Sequence, residues 1–274
     1  MNTSSTRTSG RTSPRPRLAR AGLALLLGWL AAGCASQSTG PSRAPQPAAT
    51  TPTPTPTPTP AAAPVAATAE PATAGERPAY AELPPLEGEG WQPLYDGQSL
   101  NVWKVTDFAG HGSVEVKNGN LVLEMGATLT GVNLVNTNGI PAWGYELAVD
   151  AMKVDGQDFF CGLTFVVGES CCTFVVGGWG GGVVGVSSID GSDASMNETT
   201  KFKSFESKQW YRLKVRVTRA KLETWIGKEK FADIKLEGRR ISMRPGEIEL
   251  NQPFGLATYQ TTGAYRSVQW RPLK

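Results

Sequence analysis

The segment Trp210–Val217 alternates between apolar and basic side chains. In an extended chain its apolar residues share one side and its basic residues the other: Tyr211, Leu213, Val215 and Val217 against Arg212, Lys214 and Arg216. A two-residue period is typical of a β-strand with one buried face and one face in water. Shorter runs with this period recur at Ser113–Lys117, Asn120–Glu124 and Tyr145–Ala151. The pattern predicts antiparallel sheets.

Turn-forming pairs lie between these runs at hairpin spacing: Asn118-Gly119, Asn138-Gly139, Gly168-Glu169, Asp190-Gly191 and Gly227-Lys228. Asn-Gly and Asp-Gly tolerate the positive φ that tight hairpin turns require. No long 3.6-residue apolar period is present, and the best helix candidate is a single turn near Tyr95 to Leu100. We predict an all-β antiparallel sandwich of about ten to twelve strands, whose core roughly 185 residues suffice to fill.

The first 33 residues are organised like an export signal. Five arginines and no acid precede the apolar run Ala21–Leu30, and small residues then lead to Cys34. The apolar run is too short to span a bilayer comfortably, and a basic segment before it is typical of a secretory signal. We therefore expect residues 1–33 to be a cleaved signal peptide.

The stretch Leu30-Ala-Ala-Gly-Cys34 resembles the lipobox of bacterial lipoproteins, with Ala31 where the favoured leucine would stand. The resemblance implies that Cys34 carries lipid and becomes the N-terminus, since a multiply acylated cysteine anchors a protein stably. The alternative is an ordinary secreted protein. Ala35-Ser36 lacks the aspartate that commonly retains lipoproteins at the inner membrane. We predict a lipid-anchored protein of the bacterial cell envelope, on the outer membrane and facing the periplasm or the exterior.

Residues 34–86 lack the material for a core. Ala, Pro, Thr and Ser dominate them, and Thr51–Pro60 alternates threonine with proline. Such a composition predicts a disordered, extended tether, because it buries too little apolar surface to offset the entropy of ordering. A proline-motif docking site is the alternative interpretation. The globular domain is predicted over residues 87–274.

The charge balance depends on whether the signal is removed. The whole chain has a formal net charge of +3, and subtracting the five arginines of the signal leaves −2. A mature protein of this charge gives no electrostatic reason to expect a nucleic-acid partner.

Three segments carry a resemblance to a known family. They are the opening Gly90–Trp103 (GWQPLYDGQSLNVW), the hairpin formed by Trp210–Val217 and Lys221–Ile226, and the ending Pro253–Leu256 with Val268–Leu273. The domain closely resembles the 3-keto-disaccharide hydrolase domain family over residues 87–274. The resemblance implies a concanavalin-like jelly roll with a concave face and hydrolysis of glycosides oxidised at the sugar 3-position.

The chain also departs from that family. Thr164, Phe165 and Val166 stand where many members carry an arginine, and Cys171–Val176 replaces a tyrosine-glutamate-valine-glutamine run. Two strands that usually offer polar groups to the concave face are therefore predicted to be apolar. The fold also serves non-catalytic sugar-binding modules, so a carbohydrate- or cell-wall-binding lipoprotein is the alternative function.

Glycoside hydrolysis requires two carboxyl groups flanking the scissile bond. The loop of residues 188–200 supplies Asp190, Asp193 and Glu198, and other strands supply Asp158 and Glu146 as possible partners. The alternative is that the loop acids only stabilise turns. With Asn197 the loop could also bind calcium through oxygen ligands, but it lacks an EF-hand pattern. The residues therefore favour a hydrolase without a cofactor over a non-catalytic domain, with calcium at this loop as the alternative to no metal.

The glycine-rich segment Gly177–Gly185 contains one large side chain, that of Trp179. Glycines leave a sheet surface bare, so the indole of Trp179 is a candidate platform for stacking a sugar ring. The alternative is a glycine-rich bulge with a buried Trp179.

Three cysteines lie in the predicted domain. A two-residue turn at Gly168-Glu169 pairs Val166 with Cys171 and Phe165 with Cys172, which places Cys161 too far from both for a disulfide. Buried free thiols are predicted, with a vicinal Cys171–Cys172 bridge as the alternative.

His111 is the only histidine. It lies in a glycine-flanked loop, where a surface position is the expectation and neither zinc nor a catalytic triad is favoured.

Overall fold

The computed structural model describes residues 82–274. The predicted signal peptide, Cys34 and nearly all of the predicted tether lie outside the described residues. Within 82–274, no helix has the length and apolar character needed to cross a membrane.

Two antiparallel sheets account for almost all regular structure in this part of the chain. Fifteen strands form them: β1 (Gln92–Pro93), β2 (Trp103–Val105), β3 (Val114–Lys117), β4 (Asn120–Leu123), β5 (Leu129–Leu134), β6 (Tyr145–Gly156), β7 (Cys161–Val167), β8 (Ser170–Gly177), β9 (Val183–Ser187), β10 (Lys201–Phe202), β11 (Trp210–Val217), β12 (Lys221–Ile226), β13 (Glu229–Lys235), β14 (Gly255–Tyr259) and β15 (Thr261–Pro272). The first sheet has the order β13-β12-β11-β6-β15-β4-β3, with β1 beside β15, and the second has the order β10-β9-β8-β7-β14-β5-β2. The predicted all-β sandwich is confirmed.

The core lies between the two sheets, because alternate residues of each strand point toward the other sheet. From the first sheet Leu213 and Val215 are fully buried, and from the second sheet Leu163 and Phe165 are buried against the same cluster. The other face of each sheet points away from the core and is called the outer face below.

Three of the predicted turns close hairpins: Asn118-Gly119 between β3 and β4, Gly168-Glu169 between β7 and β8, and Gly227-Lys228 between β12 and β13. Asn138-Gly139 and Asp190-Gly191 also form turns with positive φ. They do not join paired strands: the first links β5 in one sheet to β6 in the other, and the second lies in the loop after β9. A turn motif specifies a local reversal, whereas strand partners are set by long-range packing.

The predicted helical turn at Tyr95 to Leu100 is wrong. Asp96 instead accepts hydrogen bonds from the backbone N–H groups of Gln98 and Ser99, at 2.8 and 3.0 Å, and this side-chain turn replaces a helical one. The two helical segments of the described residues are the single turn Gly178–Gly181 and the 3-10 helix Glu247–Asn251. The structure has fifteen strands where ten to twelve are predicted. Strands of two residues, such as β1 and β10, are too short to show an alternating sequence pattern.

The pairing predicted around the cysteines is confirmed: Val166 lies opposite Cys171 and Phe165 opposite Cys172. Cys161, Cys171 and Cys172 are buried free thiols. Burial raises the pKa of the Cys171 thiol to about 11. His111 is exposed, with its Nδ1 2.7 Å from the carbonyl oxygen of Gly112.

Candidate functional site

A pocket of about 440 Å³ lies on the outer face of the second sheet. Its lining residues come from the sheet, from the turn after β8 and from the segment around the 3-10 helix: Leu129, Asp158, Phe159, Thr173, Val175, Trp179, Ser187, Arg244, Pro245, Glu247, Ile248 and Tyr259. We name it the Trp179 pocket. Small-molecule sites commonly have volumes of about 300–1,000 Å³ and combine apolar walls with a few polar groups, as this pocket does.

Trp179 occupies the tip of the turn between β8 and β9. Its backbone is left-handed, with φ 48° and ψ 57°, and the adjacent Gly180 also has a positive φ. A residue other than glycine rarely adopts this backbone conformation without a structural or functional constraint. Trp179 is 42% exposed, so its side chain is not part of the core but still packs partly against the protein. The alternative of a buried tryptophan is therefore wrong.

Asp158 holds this turn in place. One carboxylate oxygen accepts the backbone N–H of Gly180 at 3.0 Å, and the other accepts the N–H of Phe159 at 2.7 Å. The Asp158 N–H in turn donates to the Thr261 hydroxyl at 3.0 Å. Both oxygens are thus engaged by the backbone, which suits a residue that positions the turn beneath Trp179.

Arg244 and Glu247 are exposed charged residues that line the pocket. The Arg244 guanidinium lies 5.8 Å from the centroid of the Trp179 ring, within the range of a cation–π contact. Glu247 accepts a long hydrogen bond of 3.4 Å from the backbone N–H of Ala109. Opposite charges therefore stand at one pocket that also offers an aromatic surface.

The sheet surface beneath the pocket is more polar than predicted. Thr164 and Thr173 point to the outer face and share a hydrogen bond of 3.0 Å, and Ser187 lines the pocket beside them. The expectation of wholly apolar strands here is corrected by the register: Cys172 and Phe174 point into the core, so Thr173 between them must point outward.

On the apolar side of the pocket, the rings of Phe159 and Tyr259 lie 5.9 Å apart between centroids and are tilted by 31°. Ile248 of the 3-10 helix and Leu129 of β5 pack in the same small apolar cluster. This wall is rigidly supported, because Asn251 at the end of the 3-10 helix donates to the backbone of Val132 on β5.

The predicted loop acids do not line the Trp179 pocket, and arginines bind each of them. Asp190 contacts Arg239 at 2.6 Å, Glu198 contacts the same guanidinium, and Asp193 lies 3.9 Å from Arg244. A backbone hydrogen bond from Arg240, together with the nearby arginine charges, holds the pKa of Asp190 below its ordinary value. That direction is opposite to the one that a general acid requires.

Glu146 is on the other sheet. Its carboxylate points to the outer face of the first sheet, is fully buried, and contacts Arg216 and Arg271 at 2.7 and 2.5 Å. Burial alone would raise its pKa, but hydrogen bonds and charge from the two arginines, with Lys214 nearby, hold the pKa below the usual value. The suggested pairing of Glu146 with the loop acids is wrong, since the strand pattern directs them to opposite sides of the sandwich.

The calcium interpretation of the loop is also not met. Asp193 accepts hydrogen bonds from the backbone and hydroxyl of Ser195, and the Asn197 amide donates to backbone carbonyls. Among residues 82–274, no group of three or more His, Cys, Asp or Glu side chains is arranged to hold a metal ion.

Of the predicted site residues, the structure brings Asp158 and Trp179 to one pocket. Sequence reasoning missed Arg244, Glu247 and Tyr259, which come from segments far along the chain. The Arg-Pro-Gly-Glu stretch of residues 244–247 signals a turn, but nothing in the sequence indicates that this turn covers the second sheet.

Comparison with protein-family models and with curated proteins finds no match. Among solved structures, this chain is similar to a proposed glycosyl hydrolase from Parabacteroides distasonis, with 12% identity, 68% of this chain and 94% of that chain covered, and a TM-score of 0.42. It is also similar to a carbohydrate-binding module from Bacillus subtilis, with 9% identity, 62% of this chain and 95% of that chain covered, and a TM-score of 0.39. A third similar structure is a Bacillus subtilis protein of unknown function with a galectin-like fold, with 10% identity, 66% of this chain and 94% of that chain covered, and a TM-score of 0.45. These similarities concern β-sandwich folds only, and membership of the 3-keto-disaccharide hydrolase family stays a prediction.

Proposed function

We propose that this domain binds a glycan in the Trp179 pocket. The observation that carries the proposal is the half-exposed indole of Trp179, held in a left-handed turn by the Asp158 carboxylate at the mouth of a pocket with mixed polar and apolar lining. Retaining a large aromatic side chain in this conformation has an energetic cost, which is expected where the side chain serves a binding surface.

The pocket offers both kinds of contact that a sugar ring makes. The C–H face of a pyranose can stack on the indole, since aromatic rings combine apolar area with a polarised π face. Sugar hydroxyls can donate to Glu247 and can accept from Arg244 and from the Thr173 or Ser187 hydroxyl groups. The polar groups orient the ligand while the apolar wall supplies contact area.

Binding without catalysis fits the arrangement of carboxylates better than hydrolysis does. Asp190 and Glu198 contact Arg239, which is outside the pocket lining, and Asp193 is outside the lining too, 3.9 Å from the guanidinium of the pocket residue Arg244. Both oxygens of Asp158 accept backbone N–H groups. A hydrolase needs one carboxyl group that holds a proton near the scissile bond and a second one across it.

Hydrolysis of 3-keto-disaccharides is the second candidate, because two carboxyl-bearing residues, Asp158 and Glu247, line the same pocket. The test incubates the protein with 3-keto-disaccharides and with their unoxidised parents. Turnover that is lost in Asp158→Asn and Glu247→Gln but kept in Asp190→Asn and Glu198→Gln would establish hydrolysis at this pocket. Absence of turnover in the unsubstituted protein would rule out hydrolysis of these substrates and leave non-catalytic glycan binding as the proposed function.

The binding test uses glycan arrays followed by titration calorimetry of the best ligand. Trp179→Ala is expected to weaken affinity by about fivefold or more, since loss of one stacked aromatic contact costs on the order of 1–3 kcal/mol and about 1.4 kcal/mol is tenfold. Trp179→Phe should retain part of the affinity. Phe202→Ala is the matched control, because Phe202 is a 79% exposed aromatic residue outside the pocket lining. Equal loss in Trp179→Ala and Phe202→Ala would refute the proposed site.

We also propose that Cys34 is the lipid-attachment point and that it anchors the domain in the bacterial cell envelope, at the outer membrane. Support comes from the sequence around Cys34 alone. Metabolic labelling with radioactive palmitate should mark the natural chain and not Cys34→Ala, and mass spectrometry should find the mature N-terminus at Cys34. A mature chain that begins elsewhere would refute the anchor.

A further inference from the structure

The outer face of the first sheet carries a concentration of positive charge. On strands β6, β11, β12, β13 and β15, eight basic residues point to this face, Arg212, Lys214, Arg216, Lys221, Lys230, Lys235, Arg266 and Arg271, against four acids, Glu146, Asp150, Glu223 and Asp233. This basic face has a net charge of +4. Residues 82–274 contain 20 Lys and Arg and 22 Asp and Glu, so the remainder of the domain carries −6.

Three of the four acids of the basic face are more deeply buried than the bases that pair with them. The carboxylates of Glu146, Asp150 and Glu223 are at most 11% exposed, whereas the cations that pair with them are 15–41% exposed. These three negative charges therefore lie close to the sheet, with the positive charges above them. The fourth acid, Asp233, is 38% exposed, close to the 42% and 41% of its partners Lys221 and Lys230. An approaching ligand meets the cations first, so the layering strengthens the positive potential beyond what the residue count gives.

Tryptophans support these cations. The Trp225 ring has Lys214 at 4.4 Å, Arg216 at 5.4 Å and Lys230 at 5.2 Å from its centroid. Trp91 is covered by Arg271 at 4.5 Å. Cation–π contacts of this kind hold long side chains along the sheet and reduce the entropy that they lose when a ligand binds.

A groove of about 540 Å³ opens on the same face. Residues 82–91 form a ridge beside it, because Arg212 donates to the carbonyl of Pro84 and Arg271 donates to the carbonyls of Glu87 and Glu89. Its polar and aromatic lining includes the guanidinium groups of Arg212 and Arg266, the ring of Trp91 and the amide of Gln269. Two carboxyl groups also line it, those of Glu82 and of Asp150, and the latter is paired with Arg212.

We infer that the basic face binds an anionic polysaccharide, whose acidic groups contact the lysines and arginines and one of whose sugar rings enters the groove beside Trp91. An extended polyanion matches cations that are spread over four strands, β11, β12, β13 and β15. A lipid bilayer fits the face less well, since the ridge of residues 82–91 stands above the sheet and keeps a flat surface away from the groove. This site is separate from the Trp179 pocket, which lies on the other sheet.

The probe is polygalacturonate, with its fully methyl-esterified form as the uncharged counterpart of the same backbone. The full chain should bind polygalacturonate and not the ester. Affinity should fall by about fivefold or more between roughly 0.05 and 0.3 M NaCl, because salt screens exposed charges over this range. Equal binding of the acid and the ester, or binding of neither, would overturn the inference.

Variants locate the site. Lys214→Gln/Lys230→Gln removes two charges from the basic face, and Lys104→Gln/Arg240→Gln removes two exposed charges elsewhere. The first variant should bind polygalacturonate at least about fivefold more weakly and the second should bind as the unsubstituted chain does. Melting temperatures verify folding of both. Equal effects of the two variants, or binding to phosphatidylglycerol vesicles without binding to polygalacturonate, would contradict the proposed partner.

Discussion

The carboxylate of Asp158 accepts the backbone N–H of Gly180 at 3.0 Å, across 22 residues of the chain. Because Gly180 directly follows Trp179, this bond fixes the turn that presents the indole. The candidate binding surface therefore depends on an acid that sequence reasoning placed among catalytic candidates and that the structure places beneath the aromatic residue.

Asp158→Ala should weaken glycan binding by about threefold to tenfold, since loss of a charged hydrogen-bond acceptor frees the turn but leaves Trp179 in the chain. Calorimetry gives the affinity, and tryptophan fluorescence reports whether the indole becomes more exposed. Asp155→Ala is the control, because Asp155 is an exposed acid of the same segment that contacts only the adjacent Gly156 N–H. Unchanged affinity in Asp158→Ala would show that the turn around Trp179 keeps its conformation without the Asp158 carboxylate.

Glu146→Gln should lower the free energy of unfolding by about 2 kcal/mol, as it leaves Arg216 and Arg271 without their shared buried partner. The value is below that for fully buried pairs because both arginines are partly exposed. Urea denaturation at neutral pH measures it. Glu115→Gln, which removes an exposed partner of Lys117, should have a much smaller effect. Similar losses in both variants would contradict the role of burial.

The same residue predicts a pH dependence. The folded-state pKa of Glu146 lies below its ordinary value of 4.5, so its stabilising contribution is complete above that pH and is lost as pH falls through the lower folded-state pKa. Stability of the unsubstituted protein should therefore decline on acidification below pH 4.5, and Glu146→Gln should decline less steeply. Parallel pH curves for the two proteins would refute the assignment to Glu146.

Gly255→Ala should destabilise the domain by about 1–3 kcal/mol through overpacking. A Cβ at this position on β14 would lie 2.2 Å from Oδ1 of Asn251, the residue that fastens the 3-10 helix to β5. Gly182→Ala is the control, since its nearest neighbour would be 3.9 Å away and its φ of −117° suits any residue. Thermal and urea unfolding of the two variants make the comparison, and equal stability would contradict the predicted collision.

The three cysteines of the domain should resist alkylation in the native state. All are buried, and with a pKa of about 11 very little of Cys171 is thiolate at pH 8. Iodoacetamide labelling mapped by mass spectrometry should find Cys161, Cys171 and Cys172 unmodified at pH 8 without denaturant and fully modified in it. Rapid labelling of native Cys171 would show that its strand opens.

Local sequence patterns predicted a large part of the fold. The period-two run Trp210–Val217 forms β11, and Gly168-Glu169 fixes the hairpin that pairs Phe165 with Cys172. Both features depend on neighbours a few residues away, so the chain carries them without reference to the rest of the molecule. The turn at Asp96 differs from the predicted helical turn because short helical turns and side-chain turns share the same polar residues.

The order of amino acids shows which residues alternate, where the chain reverses, and that Trp179 is the one large side chain of a glycine-rich segment. The order of the strands is visible in the folded chain alone. It brings Asp158 and Arg244 together at Trp179 and places Glu146 on the opposite side of the sandwich. The physical reason is that alternation defines the two faces of a strand but says nothing about its partner strand. Partners are chosen by the packing of the whole core, which joins residues that are far apart in the chain.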